Sequence, residues 1–590
     1  SASYLWNGIP LTPSKPPPKL APVAAVTGNL AKARNLIYYT DPKRVGERMK
    51  KVTVWRDRQP DGALDKAIEI ARRRASGVKG RECTWEEVAV MTASRTARSS
   101  TGLTGRDIKQ MSSKTRAILT KEWENLTRQD YPIPTTCMPK VEVFCALKEK
   151  SYTKKPPRLI MYPDLITRAV EKKVLGDIGP KVVKAVLKEE YGFQYTPQQR
   201  VDRMVSMWMR KKSPAGFTCD TQCFDSTITP EDVAVECSIY CSAQMPDITR
   251  QRITALHDRL YQGGPILDQR GREVGHRQCR ASGVFTTSSS NCLTAWLKVR
   301  ASAEKAGMRG LSLLVSGDDV FGVFESVDPH TDAEKIGIFE RCMLAYGAPQ
   351  GSVQHSYNLE ELTCCSQNVS LCATREGKPY YYLTRDPRVP LARSMVETSL
   401  NNPTNTWLGF IIGNYPALWA RVVLITQLLS LVVADGTLDR KVSFELYGST
   451  YQIKLTQLPE ILNSIYGPDV FQLHRYTPKE TSRIGAGLEE LGSRPLRHWI
   501  RKAQHLNSVL NGMGDDGKKL AKYLLAFARK DRRPLPPLKG KYDVSDFFSA
   551  YSGHEGDVPD LELEPVKPSI WLPVTIVVTA VICLLLVGAK

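Results

Sequence analysis

The stretch that most constrains this chain is residues 310–324, GLSLLVSGDDVFGVF. Two apolar runs, 311–315 and 320–324, flank a small polar turn, Ser316-Gly317-Asp318-Asp319. Runs of that length, rich in β-branched, leucine and aromatic residues and parted by a glycine turn, predict two buried strands of one hairpin. Its tip then carries two adjacent carboxylates where the apolar strands stop. Like charges side by side are unfavourable unless a cation offsets them. Oxygen ligands at a tight turn suit Mg²⁺ or Mn²⁺ rather than zinc. The stretch therefore predicts a divalent-metal site at a hairpin tip.

The tripeptide alone is not specific, because Gly514-Asp515-Asp516 repeats it inside NGMGDDGKK. There, glycine and polar residues surround it without a strand pattern, and it reads as a solvated turn. What separates the two copies is context, so the site must rest on further carboxylates. The chain has 590 residues, material for several cores. Its formal net charge of +21, from 82 Lys+Arg against 61 Asp+Glu, suits a polyanionic partner or an anionic membrane surface, although excess lysine also serves solubility. The 14 cysteines show no CxxC pair and no Cys/His spacing suited to zinc. They read as free, buried thiols in a reducing compartment. Cys237 and Cys241 are spaced for one helix face.

The chain opens without Met, and residues 1–20 are Pro-rich without the apolar core of a signal peptide, so it reads as a piece cut from a precursor. At the other end, residues 570–589 (IWLPVTIVVTAVICLLLVGA) carry no charge and are long enough to cross a bilayer once. Behind a polar linker, this segment is expected to be a transmembrane tail anchor that leaves the rest of the protein in the cytoplasm.

Residues 1–40 read as an extended arm that packs on something, followed by a basic cluster of Arg44, Arg48, Lys50 and Lys51. Helical periodicity runs through residues 60–130. Two strand-like runs, 141–147 and 159–162, bracket Lys148, Lys150, Lys154, Lys155 and Arg158. A basic hairpin of this kind could grip phosphates, and an exposed lysine-rich loop would look the same. Residues 214–227, PAGFTCDTQCFDST, read as a strand that ends in Asp220, with Asp225 just beyond. If that strand lies beside the hairpin, Asp220 joins Asp318 and Asp319 around a metal pair able to activate a 3′-hydroxyl and hold a triphosphate. In residues 279–300, CRASGVFTTSSSNCLTAWLKVR, Ser282-Gly283 suits a loop. A helix is expected from Thr286, with Leu293, Trp296 and Leu297 buried and Thr287 and Asn291 sharing another face. Ser282, Asn291 and Asp225 together could read a ribose 2′-hydroxyl, while the Ser/Thr-rich start alone could be ordinary N-cap chemistry.

The ordered set of basic hairpin, TCDTQCFDST, RASGVFTTSSSN, LVSGDDV, CCSQNVS and YYLTRDPRVPLAR resembles the RNA-dependent RNA polymerases of the hepatitis C virus and GB virus group of hepaciviruses and pegiviruses. The resemblance runs from SYLWNG near the start to the tail anchor. It implies an α+β right-hand polymerase with fingers, palm and thumb around an encircled active site, plus the C-terminal transmembrane helix. The divisions it implies are fingers at 1–187 and 227–286, palm at 188–226 and 287–370, thumb at 371–530, linker at 531–569 and anchor at 570–589. It also implies that the arm crosses from fingers to thumb, and that the linker can fold back into the cleft.

Carried over residue by residue, the resemblance makes Asp220, Asp318 and Asp319 metal ligands with the Thr221 carbonyl, for two Mg²⁺ or Mn²⁺ ions. Asp225, Ser282 and Asn291 become a ribose-sensing set. Lys140, Lys155 and Arg158 line the nucleotide channel, and the loop after Lys140 departs from the family's glycine-rich form. Gly283 and Thr287 position template and nucleotide. Arg48, Ser366, Arg385 and Arg393 hold the initiating triphosphate, and Tyr447, at the tip of a flap hairpin over 443–453 with a turn at Gly448-Ser449, is the initiation platform. The implied partners are RNA template and product, ribonucleoside triphosphates, an intracellular membrane of endoplasmic-reticulum type on its cytoplasmic face, and other viral replication proteins. Two other classes share part of this pattern. A two-metal nuclease needs no ribose-sensing set, and a membrane-tethered RNA-binding protein leaves the three aspartates without purpose. A reverse transcriptase would carry a bulky aromatic where Asp225 stands.

Overall fold

The computed structural model describes residues 1–11, 19–20, 36–93, 98–146, 154–397, 403–446, 449–491 and 494–528. These form a mixed assembly of helices and mainly antiparallel sheets. The elements that build the site are β1 (Pro214–Thr218), α1 (Thr287–Ala306), β2 (Ser312–Ser316), β3 (Asp319–Glu325), α2 (Pro329–Ala345) and β4 (Gln354–Ser356). The four strands form one antiparallel sheet in the order β2-β3-β1-β4. The hairpin expected over residues 310–324 is β2 and β3, and the strand running into Asp220 is its neighbour.

Alternation along the hairpin sends side chains into two different cores. Leu313, Val315, Val320 and Phe324 pack with Leu293 and Trp296 of α1 and Phe339 and Met343 of α2. Leu314, Phe321 and Val323 pack with Val201, Met204 and Trp208 from the helix Pro197–Met209. A strand pair covered on both faces needs apolar residues at every position, which is why the sequence shows unbroken runs rather than alternation.

A five-stranded sheet lies alongside, in the order Tyr4–Trp6, Glu273–Arg277, Gly264–Leu267, Thr135–Lys140, Arg158–Tyr162. Here the structure corrects the expected basic hairpin. Arg158–Tyr162 pairs with Thr135–Lys140, placing Lys140 opposite Arg158, whereas Val143–Cys145 pairs with Ile37–Tyr39. The 135–145 stretch changes partner at Thr40. Its hydroxyl donates to the Lys140 carbonyl (2.8 Å) and accepts from the Glu142 N–H (2.9 Å), so one long strand becomes two short ones. Lys148 and Lys150 lie outside the described residues.

The C-terminal core gathers residues from 372 to 528, and Ile37, Val143 and Cys145 belong to it. Lys19–Leu20 also pairs with Val396–Glu397. The N-terminal arm thus meets the C-terminal body at two places. Lys441–Leu446 and Ser449–Lys454 form the expected hairpin, but Leu446 pairs with Ser449, one residue out of the expected turn register. Tyr447 lies outside the described residues, as do the linker and residues 570–589. Among the described residues, no helix is long and apolar enough to cross a membrane.

The second Gly-Asp-Asp is not a turn. Asp515 and Asp516 open the helix Asp515–Leu524, and acidic residues in a first turn with lysines behind them are favourable to the helix dipole. The described cysteines are free thiols, and the sulfurs of Cys237 and Cys241 lie 4.0 Å apart, as i, i+4 spacing on one helix face requires.

Candidate active site

Register brings the first two carboxylates together. Thr218 of β1 lies opposite Phe321 of β3, and the Cys219 N–H donates to the Val320 carbonyl (3.0 Å). The next residue, Asp220, therefore emerges beside the hairpin tip. It is clamped by a segment that sequence reasoning missed. The Asp220 N–H donates to Gln350 Oε1 (3.0 Å), Gln350 Nε2 donates to the Thr221 hydroxyl (2.7 Å), and the Gly351 N–H donates to the Asp220 carbonyl (2.8 Å). A Cβ at Gly351 would stand 3.0 Å from Asp220 Oδ2, so glycine is what lets this segment lie against the carboxylate.

At the tip, Gly317 takes the left-handed conformation (φ +65°) and its N–H donates to Cys292 Sγ of α1 (3.1 Å). A glycine first in a two-residue turn is the pattern of tight hairpins. The turn is Gly317-Asp318 alone, because Asp319 already pairs with Ser316. That one-residue difference separates the two predicted ligands. Asp319 points to the Phe321 side of the sheet, and burial, Cys365 and Asp318 push its carboxyl up. Asp318 instead lines, with Asp220 and Thr221, a cavity of about 1450 Å³.

Among the described residues, no group of three His, Cys, Asp or Glu is gathered closely enough to hold a metal. The predicted cluster of three aspartates is thus not assembled as expected: Asp220 and Asp318 share the cavity, and Asp319 backs the turn. The donor set still fits a hard cation. Burial pushes the Asp318 carboxyl up to about 7, helped by the charges of Asp225 and Asp220. Uncompensated negative charge beside a hydroxyl and carbonyl is what a divalent cation relieves, and all the donors are oxygens.

The ribose-facing set is assembled across three elements. Asn291 Nδ2 donates to Asp225 Oδ1 (3.0 Å), and Arg280 Nε donates to Asn291 Oδ1 (2.8 Å). Arg280 is itself buried and held in a fork by Glu236 (2.8 and 2.5 Å). Burial raises the Asp225 carboxyl, and the Asn291 bond, Arg280 and Arg158 oppose the rise. Ser282 is exposed, and its hydroxyl accepts the Met161 N–H (2.9 Å). The Gly283 N–H donates to the Met161 carbonyl (2.8 Å), and a Cβ there would meet that oxygen at 2.8 Å and Tyr162 Cβ at 2.9 Å. Thr287 does not cap α1 but bonds the Ala281 carbonyl (2.7 Å), pinning the same loop. Asp225, Ser282, Thr287 and Asn291 all line the cavity. Arg280 and Glu236 escaped the sequence reading; a charged residue two positions before Ser282 was the available signal for the first.

Arg48, Lys140 and Arg158 also line the cavity, and seven Lys or Arg face four Asp around it. Their organiser is Glu142, another missed residue. The Arg158 guanidinium bonds both of its carboxylate oxygens, and Lys140 Nζ lies 3.8 Å away. Burial would raise this carboxyl, but Arg158, Lys140 and Arg393 outweigh burial and hold it below the usual range. Arg48 donates to the carbonyls of Pro156 (2.7 Å) and Pro157 (3.1 Å). Lys155 is not brought into the lining; it sits with its ammonium 4.9 Å from the Phe144 ring centre.

Arg385 and Arg393 lie near enough to feel each other's charge, and neither is among the residues lining the cavity. Burial, then Arg393, pushes the Arg385 guanidinium down to about 10, and among the described residues Arg385 Nε is buried without a hydrogen-bond partner. Ser366 is exposed, in the turn between Thr363–Cys364 and Gln367–Thr374. Cys365 (φ +54°) and Ser366 (φ +59°) are both left-handed, as a two-residue turn with Cys364 opposite Gln367 requires. Neither is a typical residue for that turn, so no composition signal marked it.

The profile of the viral RNA-dependent RNA polymerase family matches residues 3–511. The chain belongs to that family, whose members use divalent metal ions. It is similar to the genome polyproteins of hepatitis C virus genotype 6k (isolate VN405), 39% identical over 577 residues and 97% of this chain. It is likewise similar to that of genotype 3b (isolate Tr-Kj), 39% identical over 557 residues and 94% of this chain. To that of genotype 1c (isolate HC-G9) it is 40% identical over 563 residues and 95% of this chain. The chain spans 19%, 18% and 19% of those polyproteins respectively.

Proposed function

We propose that this chain performs template-directed RNA synthesis by two-metal nucleotidyl transfer, and that it initiates without a primer in replicating a positive-strand viral RNA genome. The observation that carries the reading is the meeting, in one cavity, of Asp220 and Asp318 with the Asp225–Asn291–Arg280 relay and the cations Arg48, Lys140 and Arg158. A nuclease or an RNA-binding protein has no use for that combination. In the right-hand description, the sheet of β1 to β4 is the palm, the five-stranded sheet belongs to the fingers, and the C-terminal core is the thumb.

Two Mg²⁺ or Mn²⁺ ions held by Asp220, Asp318 and the Thr221 carbonyl would supply activation of the 3′-hydroxyl and charge neutralisation of the triphosphate. The chain's own residues do the rest. Gln350 and Gly351 fix Asp220 and Thr221, and Asp319 braces the turn that presents Asp318. Asp225, oriented by Asn291, accepts from a ribose hydroxyl, and the exposed Ser282 stands ready to donate or accept beside it. Arg158 and Lys140, aligned by Glu142, take phosphate charge, with Arg48 further along the channel. Arg385 and Arg393, with Ser366, hold the triphosphate of an initiating nucleotide, since two half-buried guanidiniums that repel each other are stabilised by a polyanion. Gly283 and Thr287 keep the template-side loop on its strand. Tyr447 serves as the initiation platform, and residues 570–589 anchor the chain to the cytoplasmic face of an intracellular membrane among other viral replication proteins.

The purified chain in mild detergent, given a short unprimed RNA, four ribonucleotides and Mg²⁺ or Mn²⁺, should yield labelled full-length product. Product only with an added primer would remove primer-independent initiation. Shortened template would point to nuclease chemistry, and RNA binding without product to a non-catalytic protein.

A further inference from the structure

At the outer end of the same cavity stands Trp55, with 77% of its surface exposed, and Leu344, 59% exposed. Large apolar side chains so exposed gain nothing from folding. Trp55 is nonetheless held on a rigid backbone. The Val54 N–H donates to Ser3 Oγ (2.8 Å) and the Arg56 N–H to the Ser1 carbonyl (3.0 Å). The Arg56 side chain is buried on the Ser226 and Ile228 carbonyls (3.1 and 2.8 Å). The Gln59 N–H donates to the Ala345 carbonyl (2.7 Å), fastening this segment to the end of α2 that bears Leu344. Lys51 and Arg341 line the same mouth, and their side chains form no ion pair among the described residues.

We infer that Trp55 is the platform of an outer nucleotide subsite, where the base of an incoming ribonucleoside triphosphate stacks before its phosphates pass inward along Lys51 and Arg48. Three observations favour a free nucleotide as the occupant. Trp55 and Asp318 line one and the same cavity. Its volume of about 1450 Å³ exceeds the roughly 300–1,000 Å³ of a site for one small ligand, so a waiting nucleotide has room beside a reacting one. An indole face in one cavity with the cations Lys51 and Arg341 matches a base with its phosphates, and stacking tolerates all four bases. The inference rests on the polymerase reading, and its test separates the two.

In single-nucleotide addition by the full chain on a preformed primer–template, Trp55→Ala should raise KM for the cognate nucleotide about fivefold and leave kcat within about twofold, and Trp55→Phe should stay near the parent value. Inhibition by non-complementary nucleotides should weaken in Trp55→Ala, whereas inhibition by tripolyphosphate, which has no base, should not change. The triphosphate of 2-aminopurine riboside should be quenched on binding to the parent chain and to Asp318→Asn, but not to Trp55→Ala. Unchanged KM, inhibition and quenching in Trp55→Ala would overturn the subsite. So would a loss of RNA affinity with nucleotide KM unchanged, which would make Trp55 an RNA contact. Failure of the parent chain to add any nucleotide, with quenching intact, would sink the polymerase reading alone.

Discussion

The chain contains Gly-Asp-Asp twice, and the two copies have opposite fates. Gly317-Asp318-Asp319 closes a hairpin whose strands are buried on both faces. Gly514-Asp515-Asp516 opens an amphipathic helix and leaves both aspartates exposed. Both glycines take positive φ, at +65° and +99°, so the backbone conformation alone does not distinguish them. Solvent does. Asp515 and Asp516 face water and lie at the positive end of a helix dipole, so two adjacent charges are tolerated. Asp318 is pushed up to about 7 by burial and by Asp225 and Asp220, a position that a divalent cation would relieve. Adjacent carboxylates become a site only where the fold withholds water from them and brings further carboxylates to face them.

The largest test of that contrast is activity. Asp318→Asn should reduce product formation by about a thousandfold or more, because the proposed mechanism puts this group at the reacting centre, while Asp515→Asn should stay within about twofold. Equal losses would mean that the copies are not functionally distinct.

Glu480 isolates the contribution of burial. Like Asp515 it lies in a helix first turn, but it is buried, and burial raises its carboxyl to about 7 against an ordinary 4.5 despite Arg483 and Thr384. It therefore keeps its proton in the folded state while the unfolded chain gives one up. Between about pH 4.5 and pH 7 the unfolded state is increasingly favoured, so this group's contribution to stability falls as pH rises, by about 3 kcal/mol at most. Urea denaturation across that window should show the slope in the parent chain and a flatter one in Glu480→Gln. Asp515→Asn should leave the slope as it is.

Glu142 asks whether a buried carboxylate can serve the site without touching the reacting atoms. Replacing it with Gln frees the charge of Arg158 and Lys140 for phosphate. Nucleotide KM should fall about threefold and kcat should fall with it, as product pyrophosphate is held longer. A rise in KM with kcat unchanged would show that alignment of Arg158, not competition for it, is the residue's part.

The smallest effects have opposite signs. Asp318→Asn should raise the unfolding free energy by about 1 kcal/mol through relief of repulsion, and Asp515→Asn should lower it by about 0.3–1 kcal/mol through loss of the dipole interaction. Denaturant midpoints of the two variants should lie on either side of the parent.

Much of the site was legible because it is carried by local pattern. Unbroken apolar runs mark β2 and β3, a strand pattern ends at Asp220, and a helical period begins one residue from the observed start of α1. These depend on short-range sterics and on which side chains avoid water. The missed features depend on partners far along the chain. Nothing near Asp220 indicates that Gln350 will grip it, and nothing near Arg158 indicates that Glu142 will lie beneath it. The run over residues 141–147 is apolar enough to be a strand of either sheet, and only Thr40 decides where it changes partner.

The residue types alone determined that this chain buries a glycine-turned hairpin bearing carboxylates, carries an excess of cations and belongs with the viral RNA polymerases, because hydrophobic periodicity, charge and motif order are properties of the chain. The tertiary structure alone decided that Asp318 faces the cavity while its neighbour Asp319 faces the opposite side. A strand sends successive side chains to opposite faces, so a turn ending one residue earlier than the sequence suggests moves a carboxylate from one side of the sheet to the other.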